Sequence, residues 1–462
     1  MRLSCLHIRR FSPHVHPGLL RRNLLTLAIE TSCDDTSVAI IERQKINNKL
    51  VAVVHFHEKI TSDSKLYGGV HPIIAHESHQ KNLAPLISRA LQALPLKGAK
   101  QDDEENRPSH GVYLKNSKNI DGDWEICRKK PDFITVTRGP GMRANLITGM
   151  DTAKGLAVAW QIPLLGVNHM QAHALTPRMT YAIQRAHDSE TPDLKFPFLT
   201  LLVSGGHTML VHSKGLCQHE VLANTADIAV GDMIDKCARD IIPDDVLKSS
   251  KSVMYGPMLE EFAFHDWKAE KEHHESNKPT TTWSITPPLR NILPSDAQKY
   301  SALFSFSGIG SAVKRITSQN PTMDKTERQL LARATMRVAF EHLASRVIIA
   351  LKTEELSATE NLVVSGGVAS NKYLLRVLRT ALDANRHESV KLVFPPLEYC
   401  TDNAAMIAWA GMELFDAGYR SSLDIMALKN WAIDPSAKDG GILGVDGWLN
   451  VNSNGSCQEP DP

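Results

Sequence analysis

The sequence predicts an α/β protein with two lobes. Residues 132–137 form an apolar run typical of a buried strand, and a Gly-Pro-Gly turn joins them to a predicted helix over 145–160. Residues 361–365 form a second such run, which a glycine pair joins to a predicted helix over 372–384. Alternation of strand and helix is typical of α/β folds. A chain of 462 residues is too long for one ordinary hydrophobic core, so we expect two lobes.

The composition is that of an ordinary globular protein. Hydrophobic residues make up 42% and charged residues 22% of the chain. No apolar run reaches the length of about 18 residues that would span a bilayer, so we expect a soluble protein without a membrane partner. The seven cysteines are scattered and form no CxxC pair, which indicates neither a disulfide framework nor a thiolate zinc site and fits a reducing compartment.

The first 26 residues have the composition of a mitochondrial transit peptide. They carry five arginines and no acidic residue, and they lack the continuous apolar core of a secretory signal. A basic, frayed N-terminus is the alternative. Without this segment the formal net charge of +1 becomes −4, so a nucleic-acid partner would have to bind a local basic patch.

Two polar stretches interrupt the predicted ordered regions. Residues 97–130 and 243–295 are rich in charged residues and poor in apolar periodicity, and we interpret them as surface insertions, the second as a lid or a set of loops. The predicted organisation is a transit peptide over 1–26, an N-terminal lobe over 27–170, a C-terminal lobe over 171–445 and a polar tail over 446–462.

Two histidines and an aspartate form a candidate metal site. His169 and His173 are four residues apart, so both imidazoles lie on one face if the chain turns helical after Asn168. Asp402, at the start of a later predicted helix, is the natural third ligand. The alternatives are an ordinary surface or core histidine pair and an N-cap role for Asp402, which Thr401 could also fill.

Three predicted strand ends carry small polar residues or glycine pairs. The tips are residues 31–36, 204–208 and 365–367, and glycine lets backbone N–H groups approach an anion closely. Ser204 and Thr208 would add hydroxyl donors. One of Asp232 and Asp235, on a predicted helix after residue 225, could meet a ribose hydroxyl, unless both lie on a solvated acidic face. The third tip leads into a helix, an arrangement that favours nucleotide binding.

These motifs, taken in order, resemble one known family, the TsaD family of tRNA threonylcarbamoyl transferases, and with the arginine-rich N-terminus they are similar to its mitochondrial branch. The resemblance spans residues 27–431 apart from the two insertions. The segments that carry it are ETSCDDT, GGVHPIIAHESH, TRGPGM, NHMQAHAL, LLVSGGHT, GDMIDK, FSFSG, VVSGGVASN and CTDNAAMIAWAG.

The resemblance implies a two-lobed actin-like fold, with a mixed sheet flanked by helices in each lobe, and transfer of a threonylcarbamoyl group from threonylcarbamoyl-AMP to N6 of the adenosine 3′ of the anticodon in tRNAs that read ANN codons. It further implies a separate enzyme that supplies the adenylate, a homodimer, and location in the mitochondrial matrix. By position, the metal ligands would be His169, His173 and Asp402, and Asp34 would be a residue important for activity. The substrate-binding residues would be Leu202, Val203, Ser204, Gly205, Gly206, Asp235, Gly256 and Asn371.

Several points stay open from the sequence. The ligand set suits one divalent ion per subunit, Fe(II) or Zn(II), without excluding Mn(II) or Mg(II). The family's lysine after FSFSG is Gly310 here, and its glycine pair before Pro257 is Tyr255-Gly256. A metallopeptidase is disfavoured because Met170 stands where its glutamate would follow the first histidine. A regulatory, non-catalytic nucleotide-binding module is the remaining alternative. Five basic residues would form either a rim that faces tRNA or an ordinary solvated surface. They are Arg128, Lys129, Lys130, Arg138 and Arg143.

Overall fold

Two mixed β-sheets organise the chain in the computed structural model, which describes residues 23–97, 111–115, 125–248, 254–264, 281–289 and 300–451. The first sheet has the strand order β15-β14-β7-β6-β1-β2-β3. Its strands are β1 (Leu24–Glu30), β2 (Asp35–Ile46), β3 (Lys49–Thr61), β6 (Phe133–Gly139), β7 (Leu164–Asn168), β14 (Tyr419–Ser421) and β15 (Trp448–Asn450).

The second sheet has the strand order β11-β10-β9-β8-β12-β13. A separate hairpin pairs β4 (Gly111–Lys115) with β5 (Glu125–Lys129). The strands of the second sheet are β8 (Phe198–Val203), β9 (Thr208–Gly215), β10 (Gln218–Thr225), β11 (Leu303–Phe304), β12 (Asn361–Ser365) and β13 (Lys391–Val393).

The two sheets repeat one topology. In the first, β1, β2 and β3 form an antiparallel meander, and β6 and β7 continue the sheet parallel to β1. In the second, β8, β9 and β10 form the meander, and β12 and β13 run parallel to β8. The predicted α/β class, with two lobes and a mixed sheet in each, is therefore confirmed.

Helices cover both faces of the first sheet. The alternating side chains of β1 explain this, because Leu25, Leu27 and Ile29 pack with one helical layer while Ala28 packs with the other. The first layer consists of α1 (Pro72–Gln92) and α2 (Arg143–Trp160), and the second of α3 (His169–Gln184) and α11 (Ala404–Asp416).

The remaining helices belong with the second sheet. Several of these helices share one hydrophobic cluster with Leu199, Leu201 and Val203, which are buried residues of strand β8. The helices are α4 (Val230–Ile241), α5 (Asp244–Lys248), α6 (Gly256–Ala263), α7 (Ser307–Gln319), α8 (Lys325–Leu351), α9 (Lys372–Ala384) and α10 (Leu397–Cys400).

The chain returns to the first sheet at its C-terminal end, so the predicted lobe boundaries are wrong there. Helix α11 packs on β1 and β2, and strands β14 and β15 extend the first sheet. Residues 404–421 therefore belong with the N-terminal lobe, and residues 448–450 form a strand and not part of a polar tail. Helix α11 is buried on all sides, since it lies between that sheet and α3.

The two predicted insertions contain ordered structure. Within 97–130, β4 and β5 pair, and Val112 packs into the core with α1. Within 243–295, helix α6 buries Leu259 and Phe262 in the core of the second lobe. The described parts of both insertions therefore include strands or helices, so the expectation of loops over 243–295 is wrong for helices α5 and α6. Their apolar residues are few, so periodicity gave a weak signal.

Most of the predicted transit peptide, residues 1–22, lies outside the described residues. Strand β1 begins at Leu24, and Leu25 and Thr26 are fully buried. Residues 24–26 of the predicted transit peptide therefore belong to this central strand, and the transit peptide itself stays a prediction. Within the described ranges, no helix has both the length and the apolar character needed to cross a bilayer.

Candidate metal and adenylate site

The histidine pair lies at the start of a helix that follows a buried strand directly. Asn168 ends β7 and caps α3, because its side-chain oxygen accepts hydrogen bonds from the N–H groups of Met170 and Gln171 at 3.0 and 3.1 Å. The helix therefore begins at His169, and His173 follows one turn later. The two rings are 4.7 Å apart and both are buried, as the four-residue spacing predicted.

Asp402 completes the group. Its Oδ1 lies 3.3 Å from Nε2 of His169 and 3.0 Å from Nε2 of His173. The side chain of Asn403 caps α11 by accepting from Met406 N at 2.9 Å, so the alternative N-cap roles of Asp402 and Thr401 are wrong. Asp402 is free to face the histidines, and its side chain remains 23% exposed, which leaves one side open to a ligand.

The donor set fits a divalent metal ion. Two imidazole nitrogens and one carboxylate oxygen converge, and neighbouring ligand atoms of a tetrahedral zinc ion are also about 3.3 Å apart. Three protein ligands leave a position for substrate, as in catalytic sites. Elsewhere in the described chain, His212, Glu220 and Glu355 also come together, but the ammonium of Lys214 already pairs with both glutamates.

Glu30 supports the metal site from behind and was missed from the sequence. Its Oε2 lies 3.3 Å from Nδ1 of His169, on the side of the ring away from Asp402. The carboxylate also accepts hydrogen bonds from Ser32 N at 2.5 Å and from the hydroxyl of Thr137. A carboxylate behind a metal-binding histidine orients the ring and strengthens its basicity. The available signal was an acidic residue ending an otherwise apolar strand.

The site has a strongly negative field. Burial alone would lower the pKa of His169, but the carboxylates of Asp402 and Glu30 outweigh it and raise this pKa to about 10. Burial also opposes ionisation of Asp402, yet His169 and His173 hold its pKa well below its usual value. A cation, either a proton on His169 or a metal ion, is therefore strongly favoured between these carboxylates.

Asp34 lies at the tip of the first hairpin, close enough to Asp402 for the charge of Asp402 to affect its ionisation. Burial, followed by repulsion from Asp35 and Asp402, raises the pKa of Asp34 to about 6. Its Oδ2 is buried and has no hydrogen-bond partner within the described part of the chain. Asp35 differs, since it pairs with Lys59 at 2.9 Å and accepts a hydrogen bond from Thr61. Of the two aspartates, Asp34 therefore keeps a carboxylate oxygen without a partner among the described residues.

The glycine-rich tips meet beside the metal site. Gly366 has φ +102° and approaches Val203 so closely that an added Cβ would lie 2.3 Å from the Val203 carbonyl oxygen. The next residue, Gly367, lies against Thr401, where a Cβ would be 3.7 Å from the threonine methyl group. Thr401 precedes Asp402 and accepts from Lys59 Nζ of the first lobe at 2.6 Å. The structure thus brings the predicted tips of both lobes together around residues 401–402.

The second tip uses its hydroxyls internally. The Ser204 hydroxyl accepts from the N–H groups of Gly206 and His207 at 3.3 and 3.0 Å, and the Thr208 hydroxyl accepts from Val230 N at 2.9 Å. The Ser204 hydroxyl also donates to the His207 carbonyl oxygen at 3.4 Å, and Thr208 is fully buried, so the expectation that both offer free hydroxyl donors to an anion is wrong. Gly205 is exposed, with open space where a Cβ would be.

Two other predicted residues of this strand end are buried. Leu202 and Val203 are 3% and 0% exposed and pack in hydrophobic clusters, so they can meet a ligand only through main-chain atoms. His207, which follows the glycine pair, was missed from the sequence. Burial lowers the pKa of His207 to about 4, and the nearby charge of His169 acts in the same direction, so the ring is neutral beside the metal site.

The predicted ribose partners lie on the second lobe. Asp235 Oδ1 accepts from the N–H groups of Tyr255 and Gly256, both at 2.8 Å, and burial raises the pKa of Asp235 to about 6. Asn371 caps α9 by accepting from Leu374 N at 3.0 Å. These contacts bring Asp235 and Gly256 together and give Asn371 a structural role. Substrate binding by the three residues stays a prediction.

Four of the five basic residues of the predicted rim already serve the fold. Arg128 and Lys130 donate to the carbonyl oxygens of Leu94 and Trp160 at 2.8 and 3.0 Å. The charges of these four residues face protein oxygens, and a tRNA-binding role of the five stays a prediction. Lys129 pairs with Glu42 at 2.7 Å, Arg138 donates to Met426 and Asp446 carbonyl oxygens, and Arg143 alone is exposed at the start of α2.

Comparison with known proteins agrees with this geometry. Residues 123–409 match the family model "TsaD: tRNA N6-adenosine threonylcarbamoyltransferase". The chain is 37% identical to the mitochondrial tRNA N6-adenosine threonylcarbamoyltransferase of Schizosaccharomyces pombe, over 93% of this chain and 90% of that protein. It is 34% identical to the tRNA N6-adenosine threonylcarbamoyltransferase of Brucella ovis, over 88% of this chain and 95% of that protein.

Proposed function

This chain belongs to the TsaD family of tRNA N6-adenosine threonylcarbamoyltransferases, and from that premise we propose its reaction in full. It transfers the L-threonylcarbamoyl group from threonylcarbamoyl-AMP to N6 of the adenosine 3′ of the anticodon, in mitochondrial tRNAs that read ANN codons, and releases AMP in the mitochondrial matrix. The observation that carries this proposal is the group of His169, His173 and Asp402, which lies beside the meeting point of the glycine-rich tips.

The chemistry requires positioning and charge stabilisation more than a protein nucleophile. The adenine amine attacks the carbamoyl carbon, the bond from that carbon to the phosphate oxygen breaks, and AMP leaves with the electron pair. One proton leaves the amine. An ion held by His169, His173 and Asp402 would supply Lewis-acid stabilisation of the phosphate and carbonyl oxygens.

Asp34 is the proposed acceptor of the amine proton. Its Oδ2 is buried without a partner among the described residues, and its raised pKa of about 6 makes it a better base than an exposed aspartate. Above pH 6 the carboxylate is ionised and can take the proton as the new C–N bond forms. Gly205 and Gly206 leave room for the adenylate because a ligand meets no Cβ there.

The proposed metal is Fe(II) or Zn(II). Imidazole ligands favour both ions over Mg(II), which prefers oxygen ligands alone. We further propose a homodimer that receives its adenylate from a separate synthase. The outer faces of α1 and α2 support a protein contact, because Ile73, Ile147 and Val158 are 62%, 37% and 50% exposed. Light scattering of the purified chain tests the dimer, and elemental analysis tests the metal.

Reconstitution tests the reaction. The purified protein is mixed with unmodified mitochondrial tRNA, L-threonine, bicarbonate, ATP and the adenylate-forming enzyme, and nucleosides are analysed by mass spectrometry. Threonylcarbamoyladenosine should appear with the wild-type chain and not with Asp402→Asn. A tRNA that carries adenosine at the same position but reads a codon beginning with another base should stay unmodified.

The same mixture separates the transferase from the regulatory alternative. If threonylcarbamoyl-AMP accumulates, the wild-type protein binds AMP, and no modified nucleoside forms, then the chain is a nucleotide-binding module and the proposed reaction is wrong. Omission of the tRNA provides the matched control for adenylate hydrolysis.

A further inference from the structure

The loop that joins β3 to α1, residues 62–71, has an anchored base and an exposed tip. Ser62 and Ser64 are buried. The Ser64 hydroxyl accepts a hydrogen bond from His71 N at 3.3 Å, and the Ser64 carbonyl oxygen accepts one from Tyr67 N at 2.9 Å. The tip differs sharply, since Leu66 is 97% and Tyr67 is 55% exposed. The fold holds this apolar tip in solvent, although nothing within the described chain covers it.

The loop lies across the cleft beside the proposed active site. At its start, Ser62 N donates to the carbonyl oxygen of Asp34 at 2.9 Å, next to the proposed base. At its tip, the carbonyl oxygen of Gly68 accepts a hydrogen bond from Arg239 of the second lobe. Arg239 is one turn beyond Asp235, the predicted ribose partner, on helix α4. Tyr67, adjacent to Gly68, therefore lies beside the contact between this loop and the second lobe.

The exposed tip has the chemistry of a single-strand nucleic-acid contact. The Tyr67 ring lies 4.1 Å from the His71 ring at an angle of 31°, so the two form a small aromatic surface. Two exposed cations are close to it along the chain or in space, since Lys65 is two residues before Tyr67 and Arg239 donates to the adjacent Gly68. Aromatic side chains flanked by cations are how proteins bind unpaired bases.

The reaction itself creates a need for such a surface. An enzyme that acts on a base within a stacked loop must draw that base out, and the neighbouring base then loses its stacking partner. We propose that Tyr67, supported by His71, stacks on a base of the anticodon loop next to the target adenosine. This inference rests on the proposed function, since the target adenosine defines which base is the neighbour.

Substitutions at position 67 test the stacking role. Tyr67→Ala should raise the KM for tRNA roughly 5- to 100-fold, the range expected for loss of one base–aromatic stack. Tyr67→Phe keeps the ring and should stay near the wild-type KM, whereas Tyr67→Leu, apolar but not aromatic, should behave like Tyr67→Ala. Tyr113→Ala is the matched control, because Tyr113 is also half-exposed but lies on the β4–β5 hairpin near the far end of α1.

A direct spectroscopic readout distinguishes stacking from a general loss of binding. 2-Aminopurine is placed beside the target adenosine in an anticodon stem-loop, and its fluorescence is measured on addition of protein. The wild type and Tyr67→Phe should restack and quench the probe, while Tyr67→Ala should bind at higher concentration and leave it bright. Equal quenching by Tyr67→Ala and the wild type overturns the proposal.

Two further outcomes are decisive. If Tyr67→Ala changes the molecular mass measured by light scattering and Tyr67→Phe does not, the tip is a protein–protein contact and the stacking proposal is wrong. If the wild-type protein modifies no tRNA in the reconstituted reaction, the proposed function fails. The 2-aminopurine titration still decides the stacking question in that case, because it requires binding and no turnover.

Discussion

Glu30 lies directly behind His169. Its Oε2 is 3.3 Å from Nδ1 of the ring, whose Nε2 faces Asp402 at 3.3 Å on the other side. Glu30 ends β1 of the first sheet, Asp402 lies two residues before helix α11, and the ring between them begins α3. The orientation of the first metal ligand is therefore fixed by the fold before any ion binds.

Glu30→Gln should weaken metal binding by about 10- to 100-fold, because the amide no longer strengthens the basicity of His169. Competition with a fluorescent chelator measures the affinity. Glu58→Gln is the control, since the Glu58 side chain pairs with the half-exposed Arg89 on the surface and the substitution should leave affinity unchanged. Wild-type affinity in Glu30→Gln would show that the carboxylate contributes only to folding.

Metal binding should release a proton. His169 has a pKa of about 10 in the metal-free protein, so it is protonated at pH 7 and must lose that proton to bind a metal ion. The apparent affinity should therefore fall about tenfold for each unit by which the pH drops between about 9 and 7. Calorimetry in two buffers of different ionisation enthalpy should show release of about one proton. An affinity that is independent of pH over this range contradicts the linkage.

The sequence predicted the residues whose geometry is local. His169 and His173 are four residues apart in one helix, and the tips at 204–206 and 366–367 are strand ends, so their arrangement needed only helix and strand periodicity. Asp402 required a contact across more than 200 residues. Its place at the start of a predicted helix made it a candidate ligand, and the resemblance to a family added support, but no local periodicity predicts a contact over that separation.

Other features depend on packing that no local pattern records. In the sequence, Glu30 is only the polar residue at the end of an apolar strand. Its position behind His169 depends on the three-dimensional fold. The return of α11 to the first sheet was missed because residue order suggested membership of the second lobe. Its burial on every side was a usable signal, since a helix without a polar face must lie between two layers.

Asp34→Asn should lower kcat about 10²- to 10⁴-fold if the carboxylate takes the amine proton. Burial raises the pKa of Asp34 to about 6, so the base is ionised above that value, and kcat/KM should fall as the pH drops below about 6. The same limb should be absent from the residual activity of Asp34→Asn. Asp383→Asn, a surface aspartate that pairs with Arg379, serves as the control. An unchanged kcat with intact AMP binding would remove Asp34 from the mechanism.

A pair of glycine substitutions separates ligand binding from folding. A Cβ at Gly205 meets no atom within 4 Å, so Gly205→Val should change the free energy of unfolding by less than about 0.5 kcal/mol. If the open space receives the adenylate, the affinity for AMP should nevertheless fall at least about tenfold, as expected when a ligand loses about 1.4 kcal/mol to a steric clash.

Gly366→Ala should show the opposite behaviour. Its φ of +102° is strained for any side chain, and a Cβ would lie 2.3 Å from the Val203 carbonyl oxygen, so the variant should lose at least about 1–3 kcal/mol of stability. Thermal denaturation and AMP titration of both variants test the pair together. If Gly205→Val binds AMP like the wild type, the second tip is only a turn, and the adenylate must be held by the other two tips.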